Sequence, residues 1–334
     1  MNESAKSVQA KTAPWVWRLL PILFAMVVLA VMPGFLPEFL QRMMSKFLIF
    51  AIFSISYNIV AGYTGLISLG QAAYFGVGGY TVAVLMAHLG IDSLWLTGLA
   101  GVSLGALAAA AVGPIVLRVS GMYFLILTFA IGRLGYSLTW NVPFFNVPQG
   151  IQGIAGLPRP NIGIPGFHWT ELSFYFFVLV VFAIAMFLQY RLSRSPFGHS
   201  LEGIREGETR MEALGYNVWL HKYLSFVIGG AFAALAGVLY VYMNRFIEPA
   251  DFDIMRSFYP MAMVIIGGPA TLWGPAVGAA AIVFVEYFSS VIVPQRWPLI
   301  LGSLFVLAIM FARKGLAVYA SDLWSKAGAK LWKR

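Results

Sequence analysis

Ser56-Tyr57-Asn58-Ile59-Val60-Ala61-Gly62-Tyr63-Thr64-Gly65-Leu66-Ile67-Ser68-Leu69-Gly70-Gln71-Ala72-Ala73-Tyr74-Phe75-Gly76 intersperses uncharged polar side chains and glycines between long apolar runs. In lipid every backbone N–H and C=O must find a partner inside the protein. A segment that leaves the helix at membrane depth is therefore buried in protein or lines a wet cavity. Broken helices of this kind offer carbonyls, amides and dipole ends to small polar solutes. The competing reading of the same residues is tight helix packing, with Ser and Thr bonded back to their own backbone. A related pattern, Gly267-Gly268-Pro269-Ala270-Thr271-Leu272-Trp273-Gly274-Pro275, recurs late in the chain and reads as a second, weaker break.

The flanks make membrane depth the natural setting. Of 334 residues, 60% are apolar and only 10% charged, and the mean hydropathy is +0.81. A soluble domain is about 45–50% apolar and about 25% charged, and surface shrinks too slowly with size to hide such a surplus. A water-soluble globular enzyme is excluded. With no cysteine there is no disulfide framework, thiolate metal site or cysteine nucleophile. The net charge of +9 comes from bases at the ends of apolar segments, which points to an anionic membrane surface rather than to nucleic acid.

A bilayer core of about 30 Å needs about 20 apolar residues per helix. Segments of this kind lie near 15–37, 46–62, 72–89, 95–117, 121–140, 172–190, 223–244, 257–270, 274–293 and 297–312. The sequence therefore predicts an all-α integral membrane protein of about ten helices. All ten tryptophans fall at span ends or in the tail, where an indole keeps its ring apolar and its N–H wet. With both termini in the cytoplasm, fifteen Lys and Arg lie inside, from Lys6 to Arg334, against six outside. Those six are Arg42, Lys46, Arg159, Arg245, Arg256 and Arg296, and Arg133 lies within a span. This bias sets the orientation.

Residues 1–14 then form a cytoplasmic segment, 15–313 the transmembrane domain and 314–334 a basic amphipathic tail on the inner leaflet. The loop at 141–171 lies outside and the loop at 191–222 inside. The first apolar run exceeds a signal-peptide core, contains Pro21 and Pro33 and lacks a clean cleavage site, so it reads as a retained helix.

No G-x-x-x-x-G-K-[ST] occurs, so the chain has no P-loop for ATP, and no H-E-x-x-H occurs. Gly101-Val102-Ser103-Leu104-Gly105 matches a nucleophile elbow in letters only, since it sits mid-span with no strand before it. It reads as small residues that let helices approach closely. Gly76-Val77-Gly78-Gly79 lacks the βαβ unit a dinucleotide motif needs. Arg133 and Glu286 are the clear intramembrane charges, each costing about 2.5–3.5 kcal/mol at a helix centre. They line a polar path, pair across helices, or reach the interface.

The inner loop is patterned. Ser195-Pro196-Phe197-Gly198 breaks the chain, and Leu201, Ile204, Met211 and Leu214 then recur on one helical face. Glu202, Arg205, Glu206, Glu208, Arg210 and Glu212 fill the remainder. A short amphipathic helix ended by Gly215 suits docking into a groove of another protein.

Together these motifs resemble the inner-membrane permeases of branched-chain amino acid ABC importers, of the LivM type. The likeness runs from about residue 45 to 312. It is carried by the 57–76 stretch, Gly150-Ile151-Gln152-Gly153-Ile154 with Pro158-Arg159-Pro160, Arg194-Ser195-Pro196-Phe197-Gly198, Arg205-Glu206 leading to Glu212-Ala213-Leu214-Gly215, and Gly267-Gly268 before Trp273-Gly274-Pro275. The resemblance implies a multi-pass subunit of the bacterial inner membrane that is not itself an enzyme and binds no cofactor. A second, LivH-like permease, two cytoplasmic ABC ATPases that hydrolyse ATP and a periplasmic substrate-binding protein would be its partners, with membrane lipids and no nucleic acid. It places ATPase coupling on Arg205, Glu206, Glu208, Glu212, Ala213 and Gly215. The substrate pathway is expected at Tyr57, Asn58, Thr64, Ser68, Gln71, Thr128, Arg133 and Glu286, with Arg133 poised for a substrate carboxylate. Asn146-Val147-Pro148-Gln149-Gly150 and Arg133 depart from the family's usual residues, which leaves urea, other amides or aromatic acids as alternative cargo. A stand-alone ion-coupled transporter is the rival class, and the near-absence of Asp and Glu within the spans disfavours it.

Overall fold

The computed structural model describes residues 29–141, 153–163 and 169–292, and further positions between 299 and 318. The expectations for residues 1–14, most of the first span, parts of the 141–171 loop, much of the tenth span and nearly all of the tail lie outside the described residues. Among the described residues the fold is all-α apart from one pair of two-residue strands. Ten helices carry it: α1 (Glu38–Tyr57), α2 (Gln71–Leu89), α3 (Leu94–Val116), α4 (Met122–Asn141), α5 (Glu171–Ser193), α6 (Pro196–Glu206), α7 (Glu208–Ala213), α8 (Val218–Asn244), α9 (Ile254–Gly267) and α10 (Gly274–Ile292). Seven of them (α1 to α5, α8 and α10) are long and apolar enough to cross a membrane. α9 has only 14 residues, about 21 Å at 1.5 Å per residue, short of a bilayer core. It stops three residues short of the end of the expected 257–270 span because Gly268 turns the chain at φ +117°.

α1 is the axis of the bundle and, with the π-helical segment Asn58–Tyr63 that continues it, almost wholly buried. α2, α5, α8, α9 and α10 surround it. α3 shows how the outer helices attach. Gly101, Gly105, Ala109 and Gly113 recur at every fourth position and are buried, while Leu96, Leu99, Leu104 and Leu107 face outward. A Cβ on Gly105 would lie 2.2 Å from the Ala234 Cβ, and one on Gly101 would lie 2.5 Å from the Val238 side chain. The G-x-S-x-G letters are thus a close-packing stripe of the kind small residues provide in lipid.

A tight approach to backbone is at Gly237 of α8, where a Cβ would sit 1.9 Å from the Phe75 carbonyl oxygen. No rotamer can relieve a clash with backbone, so Gly237→Val exceeds the about 1–3 kcal/mol of ordinary overpacking. The expected result is loss of the monodisperse peak when the variant is extracted and run on size exclusion. Gly34→Ala, with nothing within 4 Å of the added Cβ, serves as the unaffected control.

One end of the bundle is crossed by strands β1 (Ile154–Ala155) and β2 (Phe246–Ile247), antiparallel with Ile154 opposite Ile247. The loop is pinned further by Arg245, whose Nε donates to the Leu157 carbonyl at 2.8 Å, and by the Arg159–Glu171 ion pair at 2.5 Å. The opposite end carries the short helices α6 and α7. Trp95, Trp140, Trp169, Trp219 and Trp273 all stand at or beside helix ends.

Candidate functional site

The first break begins where α1 turns π-helical at Asn58 and the chain then runs without helix through residues 64–70. Helix α2 therefore starts inside the bundle with its first N–H groups in need of acceptors. Neighbouring helices and the break itself supply acceptors to this stretch. Thr128 Oγ1 of α4 accepts from Leu69 N at 3.1 Å, Ser257 Oγ of α9 accepts from Ala72 N at 3.0 Å, and Ser68 Oγ accepts from Gly70 N at 3.1 Å. Thr64 bonds back to the Val60 carbonyl. The packing reading and the broken-helix reading both describe this segment. Gln71 is fully buried, and neither polar atom of its carboxamide has a partner among the described residues. Tyr57 is buried as well.

The second break meets the first. Asn58 Oδ1 accepts from Ala270 N at 2.9 Å, and Nδ2 donates to the Thr271 carbonyl at 3.0 Å. Gly62 must be glycine here, because a Cβ would lie 2.1 Å from Asn58 Oδ1 and 2.8 Å from Ala270 N. Thr271 in turn closes its own turn, donating to the Gly268 carbonyl at 2.7 Å and accepting from Gly274 N at 3.0 Å.

The short-helix end is wired into this junction. Arg205, in the last turn of α6, donates from Nη1 to the Gly62 carbonyl at 2.6 Å. The loop is two helices rather than the single amphipathic helix the periodicity predicts, because the backbone is extended at Gly207. Leu201, Ile204 and Met211 are buried as expected, with Val218 beside the last two. Leu214 is not: past the Gly207 break it caps α7 and stands 68% exposed. Gly215 ends the helix as expected, at φ +86°, a left-handed conformation that glycine adopts without strain. Glu206, Glu208, Glu212 and Ala213 share the exposed surface with Leu214 and Tyr216, and Glu208 pairs with Lys222 at 2.5 Å.

Arg133 pairs with Asp253 at 3.2 Å, their side chains 48% and 32% exposed, and its guanidinium lies 4.6 Å from the Tyr136 ring centre. Asp253 belongs to a charge cluster that the sequence reading missed. Arg256 donates to Asp251 and, at 3.0 Å, to the Tyr240 hydroxyl, with aromatic rings of Tyr240, Phe75 and Phe50 around it. Partial burial, then the nearby Asp251 carboxylate, raises the Glu248 carboxyl above its usual range, against the pull of Arg256. The available signal was the spacing Asp251-x-Asp253-x-x-Arg256 at the mouth of an interrupted apolar segment. Glu286 is not brought to the other candidates. It pairs with Lys46 at 3.1 Å near the strand end.

Two buried breaks are thus joined to each other and to an exposed charged loop. A family model described as branched-chain amino acid transport system, permease component, matches residues 39–313. The chain belongs to this family. It is 28% identical over 299 residues to a high-affinity branched-chain amino acid transport system permease protein LivM of Salmonella typhimurium, covering 80% of this chain and 68% of that protein. A probable LivM of Methanocaldococcus jannaschii is 27% identical over 285 residues, 75% of this chain and 81% of that one. A LivH permease of Salmonella typhimurium is 26% identical over 271 residues, 75% and 86% of the two chains. No solved structure matches. This permease is thus a multi-pass, all-α membrane protein of the LivM type.

Proposed function

We propose that this permease is the membrane-spanning subunit of an ABC importer that moves branched-chain or other hydrophobic amino acids across the bacterial inner membrane. Its partners are a second, LivH-like permease, two cytoplasmic ATPases and a periplasmic binding protein. The observation that carries the reading is the Arg205 bond to Gly62, which ties an exposed charged loop to the point where two broken segments meet. With the short-helix end in the cytoplasm, Glu206, Glu208, Glu212, Ala213, Leu214 and Gly215 form the docking surface for an ATPase. The permease itself then needs neither a cofactor nor an ATPase site, and the chain runs as about ten spans with both ends inside.

On the passage side, Tyr57, Asn58, Thr64, Ser68, Gln71 and Thr128 shape the break, and the half-exposed Arg133–Asp253 pair faces the route. Two such charges against lipid would each cost about 2.5–3.5 kcal/mol, so this face turns toward a polar path completed by the second permease. A guanidinium beside a carboxylate matches the carboxylate and ammonium of an amino acid.

The test is leucine uptake into vesicles holding this permease with a cognate binding protein, ATPases and partner permease. Uptake should need ATP and every component, and Arg133→Gln with Asp253→Asn should slow it. Accumulation by this chain alone under an ion gradient would overturn the reading.

A further inference from the structure

At the strand end a cavity of about 280 Å³ opens between α1, α8 and α10, lined among others by Phe39, Arg42, Lys46, Asn244, Glu286 and Ser290. Lys46 holds the Glu286 carboxylate at 3.1 and 3.2 Å, with the Tyr259 hydroxyl at 3.5 Å. Those two charges cancel. Arg42 is exposed and has no anionic partner among the described residues, so the cavity carries one net positive charge. Its depth is fixed by the helices themselves. Arg42 lies in the second turn of α1, Asn244 is the last residue of α8 and Ser290 lies in the last turn of α10. That puts the cavity at the ends of three helices of membrane-crossing length, at the boundary of a hydrocarbon core of about 30 Å. The wall beside it is apolar: Phe39 packs on Tyr287 at 5.2 Å, and Phe39, Phe288 and Val291 are exposed.

We propose that this cavity binds the headgroup of an anionic phospholipid. The phosphodiester, with a single negative charge, sits on Arg42 and Lys46, and the acyl chains lie along Phe39, Tyr287 and Phe288. Arginine suits this role because its planar fork presents two donors to phosphate oxygens. One net charge matches a phosphodiester and leaves none over for a zwitterion. The exposed aromatic wall favours a lipid over free phosphate, which would gain nothing from it. The site is independent of the transport reading above, which would stand if this one failed.

Native mass spectrometry of the full chain, released from mixed micelles of phosphatidylglycerol and phosphatidylethanolamine, tests it. The intact permease should retain phosphatidylglycerol preferentially. Arg42→Ala should retain about tenfold less, the factor that a lost charged hydrogen bond supplies, and Arg42→Lys should recover part of it. Arg118→Ala, at the opposite end of the bundle, should retain it in full. Equal retention by Arg42→Ala would overturn the proposal. So would equal retention of phosphatidylethanolamine, or complete displacement by millimolar inorganic phosphate.

Discussion

In the importer proposed above, Arg205→Ala is expected to leave the permease folded and the partner ATPases turning over while transport per ATP falls by about tenfold or more. The bond from Arg205 to the Gly62 carbonyl is charged and short, at 2.6 Å. Bonds of this class contribute about 1.5–3 kcal/mol, and each 1.4 kcal/mol is about tenfold in an equilibrium. If motion of α6 moves the first break through this contact, its loss uncouples the two events without removing either. Glu206→Gln with Glu212→Gln acts on the other face of the loop. That pair should weaken docking, so ATP hydrolysis falls together with uptake. The two variants therefore separate transmission from docking when leucine uptake and phosphate release are measured in the same vesicles. An Arg205→Ala protein with unchanged leucine carried per ATP would sink the wiring argument.

Helix ends were readable wherever the bilayer alone sets them. The spans expected at 72–89, 95–117, 121–140 and 172–190 are observed at Gln71–Leu89, Leu94–Val116, Met122–Asn141 and Glu171–Ser193. Hydropathy fails where a helix carries charge for a reason of its own. α1 starts at Glu38 rather than at 46, because Arg42 and Lys46 occupy a helical face that lines a cavity. α8 starts at Val218 rather than at 223, its first turn capped by the Asn217 side chain, since His221 and Lys222 extend the helix past the apolar core. Periodicity fails at Gly207, where one extended residue divides the expected amphipathic helix and turns Leu214 outward. The candidate site was legible in its members but not in their partners. Asn58 and Arg205 were named from local pattern, yet their contacts lie 212 and 143 residues away. Only packing brings such residues together. Asp253 was missed for a related reason: at the edge of a span a carboxylate looks solvated until its partner on α4 is known.

The second large effect concerns the junction of the two breaks. Asn58→Leu fills a similar volume but strands the Ala270 N–H, bonded to Asn58 at 2.9 Å, and leaves the Thr271 carbonyl, bonded at 3.0 Å, with a long 3.5 Å contact from Gln189 Nε2 in its place. A buried polar group left without its partner costs about 1–3 kcal/mol, and the bilayer supplies no water to replace it. The stranded N–H and the weakened carbonyl bond together amount to about 2–4 kcal/mol, enough to lower the melting temperature in detergent by roughly 4–16 °C at about 2–4 °C per kcal/mol. Asn58→Asp keeps the acceptor for Ala270 N, loses the donor to Thr271 and adds a charge, so it should fail for a different reason and respond to pH. Gly62→Ala should imitate Asn58→Leu, since its methyl would collide with Asn58 Oδ1 and force the carboxamide off Ala270. If Asn58→Leu melted within about 1 °C of the parent, a change of under about half a kcal/mol, the two breaks would be neighbours without being joined. Motion passed from α6 to Gly62 would then have no route to residues 267–275.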